Sequence, residues 1–355
     1  MKIFHNPLHA AHAGRQEMFR GRMVPCYELP DRLDHVLAEL RRRELGELLE
    51  PDVDDAALRQ ALLRVHTSAY LDFLQGAWQA WVALDPGNAQ RDALPSVWPL
   101  GHRHAFRMDA PTLHFAARLG QHAFDAGTPL TAGTWAAARA GAACALACAR
   151  ELLAGARGAF ALTRPPGHHA GPDYFGGYCF LNNAALAAQA LRDGGCARVA
   201  VLDVDYHHGN GTQTLFYERA DVLTLSLHGD PATEYPYFLG FADERGAGAG
   251  QGCNLNLPLP RGSGFEVWSQ ALERALQALR DFGAQALVVP MGLDTFVGDP
   301  ISGFTLHGDD YLRVGERLAR AGLPTLFTFE GGYAVAELGV NAVNLLQGFV
   351  AGAGG

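Results

Sequence analysis

Residues 201–213, VLDVDYHHGNGTQ, bring together several side chains that could do chemistry. An apolar run ends there in Asp203, Asp205, His207 and His208. Burying that many ionisable groups is costly unless a charge or strong hydrogen bonds compensate for it. Asp205 and His207 are two residues apart, so in an extended segment both side chains would point to the same side. The stretch therefore predicts a metal site.

A third ligand is available in Asp294, which ends the apolar run ALVVPMGLD. Catalytic zinc is usually held by three protein ligands, which leave a fourth position for water. One histidine with two carboxylates is a more oxygen-rich set than structural zinc sites use. Fe²⁺ and Mn²⁺ therefore stay open beside Zn²⁺. A hydrogen-bond cluster at a strand end is the alternative interpretation of Asp205 and His207.

Two further motifs carry groups suited to proton transfer. His168 and His169 follow a turn stiffened by RPPG, and such a pair could move protons to and from a reacting amide. Tyr333 follows Glu330 and two glycines, where its phenol could stabilise a developing oxyanion. An ordinary buried tyrosine is the alternative for Tyr333.

The elements that must position these residues alternate between helices and apolar strands from about residue 134 onward. Five predicted strands end in polar residues: GAFAL before RPPGHH, ARVAVLDVD, DVLTLSLHG, ALVVPMGLD and LPTLFTFEGGY. Continuous apolar strands separated by helices are typical of a parallel sheet covered on both faces. Ligands bind such sheets outside the carboxyl ends of the strands. The pattern predicts an α/β fold with its site at that edge.

The first 130 residues have a less regular pattern. LPDRLDHVLAELRRRELGEL predicts one helix, and LRQALLRVHTSAYLDFLQGAWQAW predicts one or two more. Residues 84–112 contain four prolines and no hydrophobic period, which predicts a long loop acting as a lid or a dimer contact. Since no stretch has the composition of a linker, we expect a single domain over residues 1–355.

The composition excludes several classes of function. The net charge of −9 argues against general nucleic-acid binding, which needs clustered cations. Lys2 is the single lysine, so neither a phosphate-loop lysine nor a lysine Schiff base is available within the fold. No apolar run approaches the ~20 residues of a membrane span, and the N-terminal residues do not resemble a signal peptide. With six scattered cysteines and no CxxC pair, the sequence predicts a cytoplasmic protein without a membrane contact.

Four motifs together resemble the zinc-dependent histone deacetylase superfamily, and within it the bacterial acetylpolyamine amidohydrolases. They are RPPGHHAGPDYFGGYCFLNNAA, VLDVDYHHGNGTQTLFYERADVLTLSLHGDP, GLDTFVGDPISGF and FEGGY. The resemblance covers about residues 130–350 and extends into the N-terminal part through LPDRLDHVL, VHTSAYLDFL and DAGTPLTAGTW. It implies an arginase/deacetylase-like three-layer fold, with a central parallel sheet of about eight strands and helices on both faces.

The resemblance also implies roles for individual residues. It implies zinc on Asp205, His207 and Asp294, a catalytic pair in His168 and His169, and a carbonyl-polarising Tyr333. It implies a structural potassium ion near Asp203, Ser226 and Leu227, and a substrate tunnel along Gly177 and Tyr178. Asn210 replaces the aspartate that many histone deacetylases carry beside the second histidine, and Ile301 lies next to the metal-site loop.

The implied activity is the removal of acetyl from a primary amine on an alkyl chain, by a homodimer. Acetylputrescine, acetylcadaverine, longer acetylpolyamines and free acetyl-lysine are the candidate substrates. Three alternatives stay open: a protein lysine deacetylase, a hydrolase of another acyl amide, and a non-catalytic sensor of acylated amines. A polyamine site should present carboxylates at its mouth, yet residues 103–119, expected at that rim, offer arginines, histidines and only Asp109. An anionic amide is therefore included among the alternatives.

Overall fold

A computed structural model describes residues 1–98 and 114–353. Its main sheet has eight strands. They are β1 (Lys2–His5), β4 (Glu47–Leu49), β5 (Gly158–Leu162), β6 (Val199–Asp203), β7 (Val222–Gly229), β8 (Asn254–Leu259), β9 (Ala286–Met291) and β10 (Thr325–Phe329). The strand order is β4-β1-β5-β10-β9-β6-β7-β8, and every pairing is parallel. The predicted α/β sheet of about eight parallel strands is confirmed.

A separate hairpin of two strands, β2 (Gln16–Phe19) and β3 (Arg22–Pro25), lies outside this sheet. Its strands pair only with each other, in antiparallel register. This hairpin was not predicted from the sequence.

Ten α-helices are found in the described residues. They are α1 (Asp31–Arg42), α2 (Asp55–Leu62), α3 (Ser68–Leu84), α4 (Phe115–Gln121), α5 (Thr134–Leu153), α6 (Asn183–Asp193), α7 (Asn210–Phe216), α8 (Phe265–Phe282), α9 (Gly308–Ala319) and α10 (Val335–Ala353). None of these helices combines the length and the apolarity that crossing a membrane would require.

The helices form two layers because the central strands are buried on both sides. In β5, Ala159 and Ala161 pack into the core beneath α5 and α6, whereas Phe160 and Leu162 pack into the core beneath α1, α8, α9 and α10. The alanine-rich helix α5 suits the first layer, since small side chains let it lie close to the sheet and to α6. The sheet is thereby fixed between two dry cores.

Two N-terminal expectations need correction. The helix predicted over LPDRLDHVLAELRRRELGEL ends at Arg42, and Glu47–Leu49 at its expected end forms the edge strand β4. Glu44 and Gly46 adopt positive φ angles of 52° and 79°, so the backbone turns there instead of continuing as a helix. Strand β4 can then pair with β1.

The long loop predicted over 84–112 is only partly a loop. Its first residue is the last residue of α3, Pro86–Gln90 form a 3-10 turn, and Ala93 bridges Leu130. The remainder of the stretch, from residue 99, lies outside the described residues. Its role as a lid or dimer contact stays a prediction.

Replacing Leu272 with alanine should test the packing of the second layer. Leu272 is fully buried on α8 within the core of that layer, so the change leaves a cavity there. We expect the free energy of unfolding to fall by about 2–5 kcal/mol in urea denaturation. The exposed Gln270 on the same helix is the matched control, and Gln270→Ala should change it by less than about 0.5 kcal/mol. A loss below about 1 kcal/mol for Leu272→Ala would contradict this packing.

Candidate active site at the carboxyl edge of the sheet

The candidate residues converge because four neighbouring strands, β5, β10, β9 and β6, end at the same edge of the sheet. The segments that leave these strands carry, in that order, His168 with His169, Tyr333, Asp294, and Asp205 with His207. These elements are distant in sequence but adjacent in the sheet. The site thus lies at the carboxyl ends of the central strands, as predicted.

Asp205, His207 and Asp294 come together as a buried triad. Their potential ligand atoms all lie within 4.8 Å of one another, and both aspartates are fully buried. We expected Asp205 and His207 in an extended segment. Strand β6 ends at Asp203, however, and both residues lie in the bend that follows it. The His207 amide donates to Asp205 Oδ1 (2.9 Å), and His207 Nδ1 lies 2.9 Å from Asp294 Oδ2.

Peptide N–H groups hold the two carboxylates in place. Tyr206 N donates to Asp294 Oδ1 (2.8 Å), and Gly331 N donates to Asp205 Oδ2 (2.8 Å). Neither carboxylate forms an ion pair with an arginine or lysine of residues 1–98 or 114–353. Burial and the neighbouring Asp205 charge raise the pKa of Asp294 to about 7. Two buried carboxylates and an imidazole that no described arginine or lysine pairs with are a donor set that fits a divalent metal ion.

The first histidine of the pair has a charged partner. His168 Nδ1 lies 2.9 Å from Asp203 Oδ2. Burial lowers the pKa of His168, but the charges of Asp203 and Asp205 outweigh burial and raise it to about 10. The His168 backbone is fixed as well, because its N–H donates to Glu330 Oε2 (3.1 Å). His168 is therefore held as a cation beside the triad.

The second histidine has a neutral partner. His169 Nδ1 lies 2.7 Å from Asn210 Oδ1, and an amide oxygen can only accept, so Nδ1 carries the proton and Nε2 is left as an acceptor. Burial, together with His168 and His207, pushes the pKa of His169 well below its ordinary value. The two histidine rings are 4.0 Å apart but differ in charge. A neutral imidazole at His169 can accept a proton.

Gly177 allows a close approach to His169. It has φ +54°, and a Cβ built on it would lie 2.2 Å from His169 Cδ2. Its N–H donates to Asp125 Oδ2 (2.6 Å), which fixes the strained turn into Tyr178, itself at φ +64°. The ring of Tyr178 then stands 5.7 Å from the ring of Tyr333, nearly perpendicular to it. These residues form one wall of the site.

Tyr333 is held from two sides. Its N–H donates to Asp299 Oδ2 (2.7 Å), and the guanidinium of Arg32 lies 4.7 Å from its ring centroid. Arg32 is itself fully buried and donates to the backbone oxygens of Glu330 and Gly332. Because its backbone is hydrogen-bonded and its ring is stacked against Arg32, the orientation of the Tyr333 phenol toward the cavity is restricted.

Ser226 and Leu227 lie beside the triad and do not line its cavity. Both are buried in β7, where Ser226 pairs with Asp203 in the strand register. Ser226 Oγ lies 2.8 Å from His228 Nδ1. Asp203 and Ser226 are thus neighbours outside the cavity lining, and the predicted K⁺ beside them stays a prediction.

A cavity of about 280 Å³ opens above the triad. Its lining includes the predicted residues His168, His169, Gly177, Tyr178, Asp205, His207, Ile301 and Tyr333. It also includes groups that the sequence did not single out: Glu17, Arg20, Asp125, Glu234 and Tyr235. Asp125 lies in the motif DAGTPLTAGTW, so a signal for it existed, whereas the hairpin residues Glu17 and Arg20 lie outside every motif. The carboxylates missing from the predicted rim are therefore present on other elements.

Two of these carboxylates are bound by tyrosine hydroxyls. Glu17 Oε1 accepts from Tyr178 OH (2.7 Å), and Asp125 Oδ2 accepts from Tyr235 OH (2.8 Å). Neither carboxylate forms an ion pair within the described parts of the chain. Glu234 differs, since Arg261 lies 3.1 Å from its Oε1. Glu17 and Asp125 are thus two acidic groups beside the cavity that no described cation pairs with.

Comparison with known proteins agrees with this site. The histone deacetylase domain profile matches residues 26–349, and the chain belongs to the histone deacetylase family. The chain is 54% identical over 342 residues to Acetylpolyamine amidohydrolase 1 of Pseudomonas aeruginosa, covering 96% of each protein. It is 42% identical over 350 residues to the Acetylpolyamine amidohydrolase of Mycoplana ramosa, covering 98% of this chain and 99% of that protein.

A solved structure confirms the fold. The crystal structure of acetylpolyamine aminohydrolase from Burkholderia pseudomallei has a TM-score of 0.92 to this chain, with 39% identity and 99% of both chains covered. The predicted arginase/deacetylase-like fold and the resemblance to the acetylpolyamine amidohydrolases are both confirmed.

Replacing Gly177 with alanine should displace His169 without removing any catalytic group. We expect turnover to fall by about 100-fold, because a misplacement of about 1 Å can cost that much, while metal content is unchanged. Gly248 is the matched control, since its φ of +55° imposes the same backbone strain with no atom within 4 Å of an added Cβ. The measurement is kcat beside metal analysis for both variants. Equal turnover in Gly177→Ala and Gly248→Ala would contradict the close approach.

Proposed function

We propose that this protein is a metal-dependent amidohydrolase that converts N-acetylated alkyl amines to the free amine and acetate. Acetylpolyamines such as acetylputrescine and acetylcadaverine are the proposed substrates. The observation that carries the proposal is a single cavity that joins the histidine pair, two of the three triad residues and Tyr333 to carboxylates without an ion-pair partner among the described residues. The names of the relatives, acetylpolyamine amidohydrolases at up to 54% identity, support the same substrate class.

Asp205, His207 and Asp294 would hold the metal, Zn²⁺ by preference and Fe²⁺ as the alternative. When bound there, a metal ion would polarise the acetyl carbonyl and lower the pKa of a water molecule. We also propose a structural K⁺ beside Asp203, Ser226 and Leu227. The buried carboxylate of Asp203 supports a cation at that position.

Proton transfer is assigned to His169. Its unprotonated Nε2 would accept a proton from the attacking water and deliver it to the amine nitrogen that leaves. Asn210 keeps the other ring nitrogen protonated without adding a negative charge. His168, held as a cation by Asp203, would contribute positive charge where the oxyanion develops.

Tyr333 is assigned to the carbonyl oxygen. Its phenol would donate a hydrogen bond to the oxyanion of the tetrahedral state, and the fixed backbone and the stacked Arg32 would orient it beforehand. Gly177, Tyr178 and Ile301 would enclose the alkyl chain and exclude water. Tyr178 and Tyr235 also line the cavity, and their aromatic rings would pack along a linear methylene chain.

The amine end of the substrate supplies the second part of the recognition. A mono-acetylated diamine carries one ammonium group several methylenes from its amide. Glu17 and Asp125 would attract that ammonium, since neither is neutralised by a described cation. A neutral or anionic amide would gain nothing from these groups. This difference favours acetylpolyamines over the anionic amides.

Several finer features belong to the same proposal. We propose one domain over 1–355, because β1 at the N-terminal end pairs with β5 in the main sheet. A cytoplasmic location is supported by six cysteines that are all free. A homodimer is supported by Phe238, 89% exposed, on the loop next to the cavity residue Tyr237.

A protein lysine deacetylase is the alternative enzymatic hypothesis, and the assay below tests it.

The experiment that tests the proposal is hydrolysis of acetylputrescine by chelator-treated and zinc-restored protein. We expect activity to vanish with the chelator and to return with zinc. Tyr333→Phe should keep its metal and lose roughly 100- to 1,000-fold in kcat, the scale of one oxyanion donor. Asp294→Ala should lose the metal itself. Chelator-insensitive activity, or faster hydrolysis of an acetyl-lysine peptide than of acetylputrescine, would contradict the proposal.

The pH dependence should reveal Glu17. Burial raises the pKa of Glu17 to about 7, although Tyr178 and the Tyr27 amide donate hydrogen bonds to its charged form. As the pH rises through about 7, the carboxyl ionises and attracts the substrate ammonium. We therefore expect kcat/KM for acetylputrescine, divided by that for the neutral N-butylacetamide, to rise several-fold between about pH 6 and pH 8.

Dividing by the neutral substrate removes the titration of the catalytic groups. Glu17→Gln should flatten the ratio, whereas Glu234→Gln should keep its rise because Arg261 already pairs with Glu234. A ratio that is flat in the unmodified protein, or a rise that survives in Glu17→Gln, would show that Glu17 does not bind the ammonium.

A further inference from the structure

We propose that Arg20, at the tip of the β2–β3 hairpin, sets the length of the polyamine by repelling a second ammonium group at the mouth of the cavity. This inference rests on the proposed function and adds to it a specificity-determining residue. It predicts a preference for acetylated diamines over acetylated triamines.

Arg20 occupies a position that does not suit an arginine. Arg20 and Gly21 connect β2 to β3 with φ angles of 48° and 79°, as in a hairpin turn with two left-handed residues. Asparagine, aspartate and glycine are preferred at the first of these positions, because a longer L side chain is strained there. The turn itself therefore gives no reason for an arginine, and such strain is often kept at functional sites.

The side chain of Arg20 lies where it can meet a substrate. Four consecutive hairpin residues, 17–20, line the cavity. Glu17, at their inner end, is only 1% exposed, whereas Arg20 is exposed at the outer end. The guanidinium of Arg20 lies 5.1 Å from the ring centroid of Phe19, a contact that holds it against the wall. The hairpin thus presents a negative charge inside and a positive charge outside.

No other described residue that lines the cavity is an arginine or a lysine. Arg20 also forms no ion pair with a carboxylate of residues 1–98 or 114–353, so its charge is not neutralised there. An ammonium near Glu17 and Asp125 is attracted, while an ammonium further out faces Arg20. Charges at a protein surface interact over roughly 10 Å at moderate salt, which covers the mouth of a small cavity.

Two substrates differ by one outer aminopropyl group, which carries this charge. Acetylputrescine has one ammonium, four methylenes from its amide. The acetylspermidine isomer that is acetylated on its aminobutyl end has the same four-methylene spacing to its first ammonium and carries a second one three methylenes further out. The ratio of their kcat/KM values isolates the effect of the second ammonium from the chemistry they share.

The hairpin also offers a matched control. Arg22 is an exposed arginine two residues from Arg20, in the same hairpin, and it does not line the cavity. Arg20→Gln and Arg22→Gln therefore make the same change in net charge, but only Arg20→Gln removes a charge from the mouth of the cavity.

The experiment measures the acetylspermidine-to-acetylputrescine ratio of kcat/KM in the zinc-loaded full chain and its variants. We expect the ratio to rise about three- to tenfold in Arg20→Gln, the scale of one charge pair near a surface, and further in Arg20→Glu. Arg22→Gln should leave it unchanged, and about 0.5 M salt should reduce the difference between Arg20→Gln and the unmodified protein.

Arg20→Gly removes the guanidinium while relieving the strained turn, so it keeps the test valid if a bulkier replacement disturbs the hairpin. It should raise the ratio as Arg20→Gln does. An unchanged ratio in Arg20→Gly and Arg20→Glu, or an equal rise in Arg22→Gln, would overturn the inference. Failure of the proposed function would look different, because the unmodified protein would then not hydrolyse acetylputrescine at all.

Discussion

The repulsion between two buried carboxylates, Asp205 and Asp294, is the constraint on which the rest of the structure depends. Folding must bring these buried charges within a few ångströms of each other, which is unfavourable until a cation joins them. The fold meets this cost with fixed dipoles, since peptide N–H groups of Tyr206 and Gly331 point at the carboxylate oxygens. It also holds the sheet between two dry cores, so the charged edge has little freedom to relax. The preference for a metal is thus built into the backbone as much as into the ligands.

The sequence predicted the part of the fold that has a strong local pattern. The five central strands are buried on both sides and were recognised as largely apolar runs, whereas β1, β4 and β8 were not predicted. Strands β4 and β8 are the edges of the sheet, where one side of the backbone is unpaired and the pattern is weaker. Strand β1 has only four residues, Lys2–His5, and is defined by its pairing with β5, more than 150 residues away. Such pairing cannot be read from a local pattern.

The candidate site shows the same division. The candidate metal ligands and the histidine pair could be predicted because each lies at a strand end within a distinctive motif, and parallel strands bring such ends together. Glu17, Asp125 and Arg20 were missed because they come from a hairpin and a loop whose position depends on tertiary packing alone. The rim predicted from 103–119 could therefore not reveal where negative charge would be found. The candidate catalytic residues could therefore be predicted from local sequence motifs, whereas the charged residues proposed to select the substrate could not.

The independence of the β2–β3 hairpin has a consequence for how this enzyme could diverge. Because Gln16–Pro25 pair only with each other, changes in their length or residues leave every hydrogen bond of the eight-stranded sheet in place. Mutations there can leave the main sheet intact and still change the lining of the cavity, a combination that favours rapid adaptation to new substrates. The hairpin can therefore vary independently of the sheet. A library of variants confined to its ten positions would change which amines are bound while the residues of the hydrolytic centre stay the same.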